Sequence, residues 1–189
     1  MVQEPEMKIG LPQFRAISHA ISRYEDITIL GVHLVESICT SFEIRAASIL
    51  LFDDRENRLF NVCSYGLSDE YNRMVPEWSE KFEEFKKGQW VFFEDFPNDP
   101  RVENHTAIQN EGIRSMLSVP IKRRNHILGL LKLYNSEGWT LHKEDILSIS
   151  VLAEQYGLVI ENNGLQNFLT VVKEAMGSLP LRKLEGLTS

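Results

Sequence analysis

The sequence predicts an α+β fold in which an antiparallel sheet is covered on both faces. Residues 115–135 contain two apolar runs of strand length joined by a polar turn at 122–125, a pattern typical of a β-hairpin. Both runs are apolar at consecutive positions, so both faces of the hairpin should be buried. Apolar residues recur at helical spacing near both chain ends, so helices are expected to cover one face of the sheet. The other face needs a second cover, and the function depends on what that cover encloses.

Size and charge limit the possible functions. The chain has 189 residues, which suits one domain with an appended helix or tail. Its net charge of −7 argues against nucleic-acid binding, which needs a clustered basic surface. No run approaches the ~20 apolar residues of a membrane span, and the acidic N-terminus lacks a signal peptide, so a cytoplasmic protein is expected. Cys39 and Cys63 have no metal-binding spacing, and we expect both to be buried, reduced thiols.

The pattern between Pro12 and Phe42 predicts either two helices or one helix with a break near Tyr24. Apolar residues of the first helix recur at spacings of three and four. The second helix follows Asp26, and its apolar residues recur every four positions at Leu30, Leu34, Ile38 and Phe42.

The next elements are two strands and a helical segment. Residues 46–52 are almost wholly apolar, and a charged turn connects them to a second strand at 59–65. Ser68 or Asp69 is expected to cap the following helix, which Pro76 interrupts and Gly88 ends.

The second half of the chain begins with an aromatic strand at 89–96. A short polar helix is predicted at 103–110, and the hairpin of 115–135 follows, with Asn125 expected in the left-handed conformation. Residues 142–176 form a long helix, whose sheet-facing residues are Ile146, Ile149, Leu152, Tyr156, Val159 and Ile160.

The end of the long helix has a different apolar pattern. Leu158, Leu165 and Val172 recur every seven residues, with Phe168 and Ala175 three positions beyond the last two, which favours a short coiled-coil seam. A helix end packed on its own domain is the alternative. We therefore expect a domain over 12–168, followed by the helix end and a loose tail over 169–189.

Six short stretches resemble the motifs of one known family, and they occur in the family's order. They are residues 42–53, 65–71, 95–101, 112–121, 141–145 and 160–165, and 112–121 reads Gly-Ile-Arg-Ser-Met-Leu-Ser-Val-Pro-Ile. The family is the GAF domain, a small-molecule sensor module of signalling proteins. The resemblance covers 14–168, and the related PAS domain fits the helix placement less well.

The resemblance implies a GAF-like, PAS-related architecture. It has a central antiparallel sheet of five to six strands, N- and C-terminal helices on one face, and a pocket on the other face, roofed by 68–88 and 101–112. The candidate ligand-binding residues are Tyr65, Phe93, Asp95, His105, Ile108, Met116, Ser118 and Leu131. The alternative is that these side chains fill the space as ordinary core.

Departures from the family motifs narrow the choice of ligand. Bilin-binding relatives carry a Cys-His pair, but Asn104 precedes His105 here, which excludes a covalent bilin bond at this place. Cyclic-nucleotide-binding members carry Lys after the Asn that matches Asn135, but this chain has Ser136, and 143–145 only loosely replace their acidic pair. The five histidines form no haem-ligand motif. The sequence therefore identifies no cofactor.

The functional prediction is a non-catalytic sensory or regulatory domain. It would bind a small ligand, signal through its terminal helices as a homodimer, and act on a separate signalling protein or within a longer chain. The resemblance includes free methionine-R-sulfoxide reductase, which relies on several pocket cysteines, whereas this chain has two cysteines in all. One alternative is a thiol redox sensor at Cys63. Another is a dimerisation or scaffold module whose pocket is filled by Trp78, Phe82, Phe92, Phe93 and Met116.

Overall fold

A computed structural model describes residues 9–21, 27–53, 58–73, 87–102, 105–139 and 141–178. The elements in these ranges alternate between helices and strands much as the sequence predicts. In chain order they are α1 Leu11–Ile21, α2 Ile27–Phe42, β1 Ala46–Asp53, β2 Arg58–Tyr65, α3 Asp69–Arg73, β3 Val91–Phe93, a 3-10 turn Phe96–Asn98, α4 His105–Asn110, β4 Ser115–Arg123, β5 His126–Asn135 and α5 Lys143–Ser178.

The five strands form one sheet in the order β2-β1-β5-β4-β3, and every neighbouring pair is antiparallel. This confirms the predicted α+β class and the antiparallel sheet. The predicted hairpin is the pair β4 and β5, which lies at the centre of the sheet next to β1. Its central position explains why both arms are apolar at consecutive positions, since both faces are covered.

One face of the sheet packs against α1, α2 and α5, and we call this layer the helix-side core. The four apolar residues that recur along α2 are all buried there, as are Ile17 and Ile21 of α1. From α5 the helix-side core includes Ile146, Ile149, Leu152 and Tyr156. The terminal helices therefore share one face, as predicted.

The opposite face carries a second, smaller apolar layer, the roof-side core. Its outer part comes from α4 and the irregular segments around it, and Leu67 and Tyr71 pack at its edge from the α3 region. Its buried members are Ala46, Leu50, Leu59, Val91, Phe93, Phe96, Val102, Ile108, Ile113, Met116, Leu130 and Tyr134. Residues 74–86, which belong to the predicted roof, lie outside the described ranges.

Two local predictions were wrong. The positive φ of the hairpin turn falls on Arg124, at 52°, and not on Asn125. The strands pair as far as Arg123 and His126, which leaves a two-residue turn whose first position needs the positive φ. The strand predicted over 89–96 is shortened to Val91–Phe93, because the chain turns after Phe93 and Phe96 enters a 3-10 turn before Pro97.

None of the helices within the described ranges is long and apolar enough to cross a membrane.

Candidate functional site

A row of polar side chains crosses the roof-side face of the sheet. Ser48 of β1, Lys132 of β5 and Ser118 of β4 are direct register partners, so their side chains stand next to one another on one face. We call these three residues the polar row. They are nearly inaccessible to solvent, with relative exposures of 2%, 8% and 0% respectively.

Apolar residues flank the polar row on both sides. Two positions further along each strand the register aligns Ala46, Tyr134, Met116 and Phe93. On the other side it aligns Leu50, Leu130 and Pro120. The polar row is therefore a narrow hydrophilic strip within an otherwise apolar surface.

Lys132 has no hydrogen bond or ion pair within the described part of the chain. Burial lowers the pKa of its ammonium group from 10.5 to about 8, so the side chain is still mostly charged at pH 7. Next to it, the hydroxyl of Ser118 is buried and has no hydrogen-bond partner among the residues that the structure describes. Buried polar groups are normally paired, so these two neighbours have unused capacity to bind a polar group.

Two tyrosines border the polar row. The hydroxyl of Tyr134 lies 3.2 Å from Oγ of Ser48 and also hydrogen-bonds to the hydroxyl of Tyr71. The two tyrosine rings meet edge to face, with centroids 5.9 Å apart. Burial raises the pKa of Tyr134 to about 12 and that of Tyr71 further, so both hydroxyls are neutral at physiological pH.

A hydrogen-bonded clasp joins the α3 region to the end of α4. The backbone nitrogen and the hydroxyl of Ser68 donate to the two carboxylate oxygens of Glu111, at 2.9 and 2.6 Å. Oγ of Ser68 also accepts a hydrogen bond from the backbone nitrogen of Tyr71, at 3.1 Å. Ser68 is therefore the helix cap expected from the sequence, and the clasp helps to hold Tyr71 over the sheet.

The structure brings four of the predicted site residues together in the roof-side region. Phe93, Ile108, Met116 and Ser118 are all buried on that side of the sheet. Asp95 is exposed and accepts a hydrogen bond from the side-chain amide of Asn98, so it does not join them. His105 begins α4, and its side chain lies outside the described part of the structure.

Two predicted site residues lie on the opposite face. Leu131 belongs to the helix-side core. Tyr65 is paired with Ala47, another helix-side residue, and its side chain is 40% exposed. Successive side chains alternate between the two faces of a strand, and β5 is apolar on both, so the sequence pattern did not specify which leucine faces the roof.

The described residues of the filled-pocket alternative lie on both faces of the sheet. Phe93 and Met116 are on the roof side as that alternative requires. Phe92 instead packs against the helix-side core, edge to face with Trp139. Trp78 and Phe82 lie outside the described ranges.

Sequence reasoning missed Lys132, Ser48, Tyr71 and Tyr134. A signal for the lysine was present, because Lys132 is the one charged residue within the otherwise apolar run 127–134 of a strand buried on both faces. A lysine in such a position needs a partner or a function.

Residues 95–101, one of the six stretches that resemble the family motifs, have a structural role here. The carboxylate of Asp99 accepts hydrogen bonds from the backbone nitrogen and the guanidinium of Arg101, at 2.7–2.9 Å. The guanidinium lies 4.6 Å from the ring centroid of Phe93. This arrangement covers the edge of the roof-side core, and Arg101 lowers the pKa of Asp99.

Neither cysteine has the character of a reactive nucleophile. Both thiols are free and buried, and burial raises the pKa of Cys39 and of Cys63 to about 12. Cys63 lies in the helix-side core, away from the polar row. Thiols of this kind are almost fully protonated at neutral pH. The described residues also contain no group of three or more His, Cys, Asp or Glu side chains that could hold a metal ion.

The sequence model of the GAF domain family matches residues 25–161, which is most of the chain. The chain belongs to the GAF domain family. Members of this family are commonly sensory or regulatory parts of signalling proteins. The search among curated proteins found no match.

Solved GAF structures share the fold at low sequence identity. The GAF domain of a phosphoenolpyruvate-protein phosphotransferase from Coxiella burnetii is 17% identical, with a TM-score of 0.75 over 83% of this chain and 95% of that one. The GAF domain of the cyanobacteriochrome TePixJ is 19% identical, with a TM-score of 0.65 over 77% and 95%. Free methionine-R-sulfoxide reductase from Neisseria meningitidis, in complex with its substrate, is 16% identical, with a TM-score of 0.65 over 81% and 89%. At these identities the likeness concerns the fold alone.

Proposed function

We propose that this GAF domain is a non-catalytic sensory or regulatory module that binds a small ligand on the roof-side face of its sheet. The observation that carries the proposal is the polar row, where the Ser118 hydroxyl is buried without a partner and Lys132 without a countercharge among the described residues. A core built only for stability would fill this strip with apolar side chains. Family membership and the inert thiols favour sensing over catalysis.

Strand β4 provides a physical connection from the ligand face to the terminal helices. It presents Ser118 to the roof side, while Leu117 and Val119 on either side of it belong to the helix-side core against α5. At the end of the same strand, Nε of Arg123 lies 2.6 Å from a carboxylate oxygen of Glu161 on α5. A ligand that favours one position of β4 would shift α5, to the extent that it binds the two arrangements with different affinity.

We expect native mass spectrometry of the purified protein to show a small molecule bound in 1:1 ratio, and the adduct to be lost on denaturation. The control pair is Ser118→Leu, which fills the polar row, and Ser136→Leu, which places the same side chain in the exposed segment after β5. The adduct should disappear from the first variant and remain in the second. If wild-type protein carries no adduct, the scaffold alternative is supported instead. If Ser118→Leu retains the adduct, the ligand binds elsewhere and the polar row is not its site.

The same proposal includes a homodimer formed through the terminal helices. Leu147, Val151 and Leu158 lie on one side of α5 and are 63%, 41% and 60% exposed. Leu11 of α1 and Ile29 and Val32 of α2 are also exposed apolar residues on the helical layer. An apolar stripe of this kind on a long helix favours packing against a second copy.

We expect Leu158→Glu to convert a dimer of the full chain into a monomer in sedimentation equilibrium at micromolar concentration, because the carboxylate would have to be desolvated in the interface. Trp90→Glu is the control, since Trp90 is 45% exposed just before β3, outside the terminal helices, and its replacement should leave the mass unchanged. A monomeric wild-type chain would rule out the dimer.

A further inference from the structure

We propose that the ligand of this site is a small anion, carrying a carboxylate or phosphate group that binds the ammonium of Lys132. The inference rests on the proposed function and adds the chemical class of the ligand. It follows from the charge, burial and neighbours of Lys132, which the motifs of the sequence do not specify.

A buried lysine without a counterion reduces the stability of the fold. An isolated ammonium loses its hydration on burial, and proteins normally offset this loss with a carboxylate nearby. Two of the described acidic residues, Glu111 and Asp145, are hydrogen-bonded elsewhere. Glu111 accepts both hydrogen bonds from Ser68, and Asp145 lies at the helix-side layer, where it accepts a hydrogen bond from the backbone nitrogen of Ile9. An anionic ligand would supply the countercharge that the described chain does not.

The neighbours of Lys132 suit an anion. The ammonium has three donors, and the hydroxyls of Ser118 and Ser48 stand beside it in register. The Ser118 hydroxyl has no hydrogen-bond acceptor among the described residues and is therefore available to donate to a ligand oxygen. Such charge-assisted bonds are about twice as strong as bonds between neutral groups. A metal cation is disfavoured at the same place, since Lys132 would repel it.

The apolar rows on either side limit the rest of the ligand. Leu50 and Leu130 border the polar row on one side, and Met116 and Tyr134 border it on the other. These surfaces favour a compact apolar body attached to a single anionic group, as in a short-chain carboxylic acid or a small organic phosphate. A large polyanion such as RNA is disfavoured, because the site presents one buried cation on a chain with a net charge of −7.

The test is isothermal titration calorimetry of the full chain in phosphate-free buffer. The probes are inorganic phosphate, sodium butyrate and the neutral analogue butyramide. We expect at least one anion to bind wild-type protein and butyramide not to bind. Because hydrogen bonds to a charged group contribute about 1.5–3 kcal/mol, Lys132→Met should weaken anion binding roughly 10- to 100-fold. Lys132→Arg, which keeps the charge, should retain part of the affinity.

A second readout follows the lysine itself. In protein labelled with 13C at the lysine side chain, the Cε signal of Lys132 should titrate near pH 8 without ligand and at higher pH when the bound anion stabilises the ammonium. An unchanged Lys132 midpoint in the presence of a bound anion would place that anion elsewhere and overturn the inference.

The outcomes separate this inference from the proposed function. If the co-purified adduct of the native protein persists in Lys132→Met, the sensor proposal stands and the anion inference fails. If neither anion binds wild-type protein and no adduct co-purifies, both fail. Binding of anions that is equal in wild-type and Lys132→Met protein contradicts the inference alone.

Discussion

Replacement of Lys132 by methionine is expected to raise the free energy of unfolding at pH 7 by about 1–3 kcal/mol. Burial lowers the pKa of Lys132 from 10.5 to about 8, and a shift of this size corresponds to about 3 kcal/mol of destabilisation by the charged form. Methionine keeps most of the apolar stem and removes the charge. Urea denaturation followed by circular dichroism would measure the change.

The contribution of Lys132 to the free energy of unfolding changes with pH in a definite direction. Between pH 8 and 10.5 the unfolded chain still holds the proton of Lys132 that the folded chain has released. The destabilising effect of the buried Lys132 ammonium is therefore complete below pH 8 and fades as the pH rises towards 10.5. Cys39 and Cys63 act in the opposite direction, because their pKa values rise from 9.0 to about 12 on folding, and the stability they contribute is lost above pH 9.

Both proteins, wild type and Lys132→Met, contain the same two cysteines. The difference between their free energies of unfolding therefore contains the contribution of Lys132 and not that of the cysteines. We expect the advantage of the variant to be constant from pH 6 to 7.5 and to shrink between pH 8 and 10. Lys143→Met, at the exposed start of α5, is the matched control and should stay within about 0.5 kcal/mol of wild type at every pH. A Lys132→Met variant less stable than wild type at pH 7 would show that the lysine has a stabilising partner, and would also remove the basis of the anion site.

A residue that weakens the fold, but whose removal weakens ligand binding, has the profile of a functional residue. Natural proteins retain such residues because activity requires them, at the expense of stability. The two measurements therefore test one claim. For Lys132→Met, the urea denaturation should show a higher free energy of unfolding, and the calorimetric titration should show weaker anion binding.

The fold was largely predictable because its strongest signals are local. The buried stripe of α2 and the two apolar arms of the hairpin each specify an element without reference to the rest of the chain. The shortened β3 depends instead on a distant contact, since the backbone nitrogen of Phe96 donates to the carbonyl oxygen of Arg114 at 2.7 Å. No local pattern encodes a contact of that kind.

The candidate site was predictable only in part, for a reason that lies in the central strands. Strands β4 and β5 are buried on both faces, so their composition does not tell which alternate residues face the roof. Register decides this, and it places Met116 and Ser118 on the roof side and Leu131 on the other. The register also shows that Lys132, the one charged residue in the apolar run 127–134, is the neighbour of Ser118.

The second large effect is expected at Gly157, where α5 lies against the hairpin. A Cβ at this position would collide with the carbonyl oxygen of Lys122 at the end of β4, which is backbone and cannot move aside as a flexible side chain could. Gly157→Ala should therefore lower the free energy of unfolding by about 2 kcal/mol, even though alanine favours helix formation. Urea denaturation of the full chain would measure this loss.

Gly164→Ala is the matched control on the same helix. A Cβ there meets nothing within 4 Å, so the substitution should stabilise the protein by up to about 1 kcal/mol through helix propensity alone. The contrast between the two glycines tests whether α5 is held tightly against β4, as a relay through that strand requires. If Gly157→Ala were as well tolerated as Gly164→Ala, α5 would be able to move away from the sheet at little cost in free energy. A displacement of β4 at Ser118 would then not be transmitted to α5.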